Sequence, residues 1–264
     1  MKYIIANLKM NLLSPQEREH YLNSLEKELK KKKLKNVEII LCPAFVHLEA
    51  FNKWRGKRKE KIGAQNMFSE DKGSYTGEVS PVMLKKIGVD FVILGHSERR
   101  RYFMENNEEV NLKISAALKN GIRPILCIGE TKAEKESDLT MQVVGKQLKE
   151  CLMDIPRSKI EQIIFVYEPV WAISSNNPDC PPTANEIMSA KLLIRKFLVE
   201  KYGARIAGRA AIIYGGSVNM SNMKDVCINS EMDGALVGKE SLLPHEFVKI
   251  AETIGKEQGT TNNE

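Results

Sequence analysis

Eight short apolar runs rich in β-branched residues, spread along the whole chain, constrain its fold more than any other feature. They are Tyr3 to Ala6, Val37 to Leu41, Ile62 to Gln65, Phe91 to Leu94, Pro124 to Ile128, Ile163 to Tyr167, Ala211 to Tyr214 and Ala235 to Val237. Most lack strict alternation, as expected of strands buried on both faces of a parallel sheet. Helical signals fill the gaps. Ser14-Pro15-Gln16-Glu17 supplies an N-cap, a proline at the first helical position and a capping-box glutamate, with Leu22, Leu25 and Leu29 on one face. Val110, Ile114, Ala117 and Leu118 repeat a helical spacing before Gly121, and Ala190, Ile194, Phe197 and Leu198 do so before Gly203. Ser80-Pro81 opens a further helix, and Asp138 to Met153 and the segment after Pro244 complete the set. Eight such units in 264 residues average about 33 residues each, the length of a βα repeat. The expected fold is an α/β closed (β/α)8 barrel, eight parallel strands surrounded by helices, with a doubly wound open sheet as runner-up. No linker-like composition divides the chain, so residues 1–255 read as one domain and 256–264 as a polar tail.

Composition excludes several classes. With 42% hydrophobic and 28% charged residues, a large core and a soluble surface are both available, which rules out a disordered chain. No apolar run reaches the roughly 18 to 20 residues of a membrane span, and the chain opens without a signal-peptide pattern. Cys42, Cys127, Cys151, Cys180 and Cys227 are scattered and His20, His47, His96 and His245 dispersed, which favours neither zinc nor a disulfide framework and points to a reducing cytoplasm. Residues 1–61 hold 15 Lys/Arg against 7 Asp/Glu, but the lysine-rich stretches 27–35 and 53–61 carry no interleaved aromatics beyond Trp54. They read as solvated helix ends, and no nucleic-acid partner is expected.

In a barrel of this kind the chemistry sits just after the strands. Asn7-Leu8-Lys9 follows the first run, Gly95-His96-Ser97-Glu98 the fourth, Glu168-Pro169 the sixth and Gly215-Gly216-Ser217 the seventh. A carboxylate that removes a proton beside a carbonyl needs partners for the charge that develops on oxygen. Glu168 fits the base, and His96 and Lys9 fit the electrophiles. Gly215, Gly216 and Gly238 would let backbone N–H groups approach an anion, so the expected substrate is a small phosphorylated carbonyl compound. Taken singly, Lys9 and His96 are ordinary surface or packing residues. Their joint placement at successive strand ends carries the reading.

The blocks Ala6-Asn7-Leu8-Lys9-Met10-Asn11, Ile93-Leu94-Gly95-His96-Ser97-Glu98-Arg99-Arg100, Tyr167-Glu168-Pro169-Val170-Trp171-Ala172-Ile173, Tyr214-Gly215-Gly216-Ser217 and Gly234-Ala235-Leu236-Val237-Gly238 together resemble the triosephosphate isomerase family. The resemblance implies that Glu168 is the base interconverting dihydroxyacetone phosphate and D-glyceraldehyde 3-phosphate through an enediolate. It further implies that His96 is the electrophile, that Asn7 and Lys9 contact substrate, and that Glu98 is a supporting carboxylate. Ser174, Ser217 and Gly238 would offer phosphate-binding amides, while Ile173 and Leu236 would press on the catalytic carboxylate. It implies a lid over 169–177, no metal or organic cofactor, a place in glycolysis and gluconeogenesis, and a homodimer through the 73–80 loop that contains Tyr75-Thr76-Gly77-Glu78.

Three departures bear on these expectations. Leu8 stands where the family usually has tryptophan, which predicts a packing change only. Ser174-Ser175-Asn176-Asn177 replaces a Gly-Thr-Gly-Lys tip, removing both glycines and narrowing the backbone freedom of the lid. Lys239, counted with the substrate-binding set, replaces a second glycine beside Gly238, and its side chain is expected to turn outward and leave the amide in place. The alternatives are an isomerase of a longer ketose phosphate such as a tetrulose phosphate, a Schiff-base aldolase acting through Lys9, and a non-catalytic binding role.

Overall fold

The computed structural model describes residues 1–32, 34–173 and 181–256. Eight parallel strands close into a barrel in sequence order: β1 (Lys2–Asn7), β2 (Val37–Cys42), β3 (Lys61–Ala64), β4 (Phe91–Leu94), β5 (Arg123–Ile128), β6 (Ile164–Tyr167), β7 (Ala211–Tyr214) and β8 (Gly234–Val237). Closure is made by β1 beside β8, with Tyr3 opposite Gly234 and Ala6 opposite Val237. The open sheet is therefore excluded. Every apolar run of the sequence is a strand, with ends that coincide or differ by one residue.

The two-residue period of the strands sorts their side chains into two cores. Ile5, Ile40, Cys42, Phe91, Ile93, Ile125, Cys127, Ile164, Val166, Ile213 and Leu236 fill the barrel. Their neighbours, among them Ile4, Ile39, Leu126, Phe165 and Ile212, pack outward against the helices. This alternation has a functional consequence. Continued past the strand ends, the inward series 164, 166, 168 on β6 and 3, 5, 7 on β1 carries Glu168 and Asn7 to the mouth of the barrel.

The outer layer comprises α1 (Pro15–Lys31), α2 (Leu48–Arg55), α3 (Pro81–Lys86), α4 (Ser97–Phe103), α5 (Asn107–Lys119), α6 (Lys132–Glu136), α7 (Thr140–Cys151), α8 (Ala184–Tyr202), α9 (Ala204–Arg209) and α10 (Pro244–Lys256). Ser14 caps α1 by accepting the Glu17 N–H, as expected, but the Glu17 carboxylate accepts from Leu13 N–H rather than closing a box on Ser14. Gly121 and Gly203 follow α5 and α8 with φ of +68° and +87°, which glycine adopts without the clash of a Cβ. Leu8 is fully buried in the outer core, consistent with a packing role.

Candidate active site

The loops after β1, β4, β6, β7 and β8 surround a cavity of about 240 Å³ lined by Asn7, Lys9, His96, Glu168, Ile173 and Leu236, with Asn11, Gly215, Gly216, Gly238, Lys239 and Leu242. This is below the ~300–1,000 Å³ of sites for drug-sized ligands. The size suits a molecule of few heavy atoms.

Gly95 turns the chain off β4 with φ +70° and sets His96 at the N-cap of α4. The Nδ1 of His96 accepts the Glu98 N–H at 3.2 Å, so in the neutral ring the proton sits on Nε2. That Nε2 lies 3.0 Å from Glu168 Oε1. Glu168 also accepts the Ser97 N–H at 3.0 Å and the Ser97 hydroxyl at 3.2 Å. Burial works against the Glu168 carboxylate, but His96 and the Ser97 donors outweigh it and hold the pKa below the ordinary carboxylate value. Burial likewise pulls His96 toward its neutral form, and the charge and hydrogen bond of Glu168 together with the charge of Glu98 outweigh it and push the imidazole pKa up. The Asn7 amide nitrogen, 3.4 Å from Nε2, is a neighbour of this pair at the edge of hydrogen-bonding range.

Glu168 is 2% exposed, so its place must be made by close backbone packing. Its N–H donates to Ile128 O at 2.8 Å across the β5–β6 seam. A Cβ added at Gly129 would overlap the Glu168 carbonyl oxygen. Only glycine lets the β5 loop pass there.

Lys9 holds a left-handed backbone, φ +50°, unusual for a residue with a side chain. Three contacts pin this loop: Lys9 N–H donates to Asn7 Oδ1 at 3.1 Å, Gln65 Nε2 donates to Lys9 O at 2.9 Å, and Asn11 Nδ2 donates to Leu8 O at 2.8 Å. The Lys9 ammonium pairs with Glu98 Oε1 at 2.5 Å, an arrangement suited to a fixed positive charge at the cavity wall. A Cβ at Gly238 would lie 3.5 Å from Lys9 Cε, so the glycine keeps the space beside the ammonium open. Lys239 is exposed, and no ion pair is present at its ammonium among the described residues.

Beyond Glu168 the chain forms a short helix, Val170–Ala172. Trp171 Nε1 donates to Glu130 Oε1 at 2.8 Å, and Tyr167 Oη donates to the same oxygen at 3.0 Å. Ser217 N–H donates to Ala172 O at 2.9 Å. The Ser217 amide is thus engaged and would have to exchange that bond to hold an anion. Ser174 and the lid tip through Asn177 lie outside the described residues, as do Cys180 and the tail from 257. No group of three or more His, Cys, Asp or Glu side chains that could hold a metal is present among the described residues.

Sequence reasoning missed Ser97, Gln65, Asn11 and Glu130. Ser97 stands inside the His96 block and could have been read as a donor. The others act on partners 3 to 56 residues away, as with Gln65 on Lys9, and only Asn11 lay close to a singled-out residue.

The same rim exposes large apolar side chains on four consecutive strand–helix connections: Met10 and Leu13 after β1, Phe45 and Val46 after β2, Tyr75 after β3, and Tyr102, Phe103 and Met104 at the end of α4. Tyr75 packs on Phe68 with ring centroids 4.5 Å apart.

The sequence model of the family described as Triosephosphate isomerase matches residues 2–254. Among curated relatives, the triosephosphate isomerase of Dictyoglomus turgidum is 42% identical over 249 residues, covering 94% of this chain and 98% of the relative. That of Clostridium tetani is 42% identical over 226 residues, covering 86% and 88%. That of Fusobacterium nucleatum is 43% identical over 217 residues, covering 82% and 85%.

Proposed function

Because the chain belongs to the triosephosphate isomerase family, we propose that its cavity interconverts dihydroxyacetone phosphate and D-glyceraldehyde 3-phosphate, an intramolecular aldose–ketose isomerisation of glycolysis and gluconeogenesis. The observation that carries this reading is the contact between the buried Glu168 carboxylate and the proton-bearing Nε2 of His96, 3.0 Å apart, beside the Lys9 ammonium in a small cavity.

Glu168 takes a proton from C1 of the ketose, and the C–H electron pair forms the C1=C2 double bond. The carbonyl π electrons pass to the C2 oxygen, where the Nε2–H of His96 hydrogen-bonds to the growing charge. Lys9 offsets the negative charge of enediolate and phosphate from the cavity wall. Transfer of the hydroxyl proton from O1 to O2 and return of a proton from Glu168 to C2 give the aldehyde. The carboxylate must exchange its bonds to His96 and Ser97 for the substrate carbon.

The phosphate is held by the amides of Ser174, Ser217 and Gly238, with Asn7 and Lys9 touching the substrate and Lys239 beside them through its own amide. Ile173 and Leu236, buried and lining the cavity, press on the carboxylate from its apolar side. Residues 169–177 act as a lid that excludes water, since a solvated enediolate phosphate can expel its phosphate group. The chain works as a homodimer through the 73–80 loop, a reading supported by the exposed apolar residues on four neighbouring connections. It forms one barrel domain over 1–255, and its site in the cell is the cytoplasm. No helix among the described residues is long and apolar enough to cross a membrane.

The test is coupled-enzyme turnover of D-glyceraldehyde 3-phosphate by the wild type and by Glu168→Gln. The variant should lose about a thousandfold in kcat with an unchanged circular dichroism spectrum. Turnover within tenfold of wild type would remove Glu168 from its role.

A further inference from the structure

Next to the first residues of the lid lies a second cavity of about 440 Å³, whose walls include Glu130, Lys135, Tyr167, Trp171 and Glu186. The mechanism above uses none of these side chains. Lys135, on α6, places its ammonium 3.5 Å from the centroid of the Trp171 ring and 2.6 Å from Glu186 Oε1. Trp171 lies at the start of the lid. Glu186 lies just beyond its end, as the third residue of α8, where it closes a capping box with Thr183. One ammonium therefore joins the start of the lid to the helix that follows it.

The indole is held at two points. Its N–H is committed to Glu130, a carboxylate that Tyr167 also engages, and its face carries the Lys135 charge. The cation is fixed in turn by Glu186, whose own position is set by the Thr183 N–H and hydroxyl at 2.8 and 2.9 Å. Any movement of the indole on ligand binding has to break these contacts, which therefore oppose a ligand that requires it.

We propose that Lys135 is a positioning residue for the isomerisation: by bridging Trp171 and Glu186 it holds the base of the lid in its ligand-free position. The inference rests on the reading of 169–177 as a lid that moves on ligand binding.

The experiment uses full-length protein carrying Trp54→Phe. Trp54 is the only other tryptophan, so the emission of this protein reports Trp171 alone. Lys135→Met keeps the length and removes the charge, and Lys135→Arg restores a cation. Emission is recorded without ligand and during titration with inorganic phosphate, with kcat and KM measured in parallel. Lys135→Met should change the emission of the ligand-free protein, bind phosphate about three- to tenfold tighter and lower KM, while Lys135→Arg returns all three toward wild type. Unchanged ligand-free emission with unchanged phosphate affinity, or weaker phosphate binding in Lys135→Met, would overturn the proposal. Failure of the isomerase reading would show separately, as absent turnover in the wild type.

Discussion

The Nε2 of His96 lies 3.0 Å from Oε1 of Glu168, while Nδ1 of the same ring accepts the Glu98 N–H at 3.2 Å. The ring is thereby held from two sides with its proton directed at the carboxylate. Against burial, which lowers it, the His96 pKa is raised chiefly by the Glu168 charge, with Glu98 adding to it. When that carboxylate turns to a substrate carbon its pull weakens, and burial and the amide at Nδ1 favour the neutral ring. In the proposed reaction the electrophile is then the Nε2–H of His96.

His96→Gln keeps a donor of similar reach but not the fixed ring. It should lower kcat by about a hundredfold or more with a smaller change in KM, measured by coupled turnover. A variant with kcat intact and only KM raised would make His96 a binding residue.

Lys239→Gly tests the phosphate end of the cavity. If the Lys239 amide serves the ligand and the exposed ammonium points to solvent, KM changes by no more than about two- to threefold. A tenfold rise in KM, with a shallower dependence on salt, would show that the ammonium reaches the phosphate.

Glu105 links stability to pH. It is 4% exposed, lies against Lys113 and Arg99, and accepts the Gly95 N–H at 3.2 Å beneath the His96 loop. Burial alone would raise its pKa, but Lys113 and then Arg99 outweigh it and hold it below the ordinary value near 4.5. A depressed carboxyl stabilises the fold fully above that ordinary value and loses its contribution as pH falls through the native one. Glu105→Gln should therefore cost about 3 kcal/mol in urea unfolding at pH 7, with the gap to wild type narrowing below about pH 4.5. A gap independent of pH would show that the charge is not what stabilises.

Val46→Asp tests the proposed dimer. Val46 is exposed beside Phe45, and a carboxylate at that position would not be tolerated inside an apolar interface. Sedimentation should show a monomer if this face is the interface. A variant that stays dimeric would place the interface elsewhere.

The strands were legible because each is a short apolar run between polar segments, and the same parity that buries Ile164 and Val166 delivers Glu168 to the cavity. Glu168, His96 and Lys9, which the structure brings to one cavity, were legible because they follow those runs directly. Helices without an apolar face were not read. α4 carries the sequence Ser-Glu-Arg-Arg-Arg-Tyr-Phe, and α6 has none of its side chains buried. The only sequence signal for α6 is Thr131 followed three residues later by Glu134, which form a capping box. Gln65 and Glu130 acquire their roles only when the closed barrel brings their loops to Lys9 and Trp171.

The most direct test of the central claim is isomerisation of dihydroxyacetone phosphate in deuterium oxide, followed by proton NMR of the aldehyde trapped enzymatically. Proton transfer through Glu168 predicts deuterium at C2 of the product, with incorporation and turnover falling together in Glu168→Gln. Product that forms without any solvent deuterium, or deuterium incorporation that survives the loss of Glu168, would contradict it.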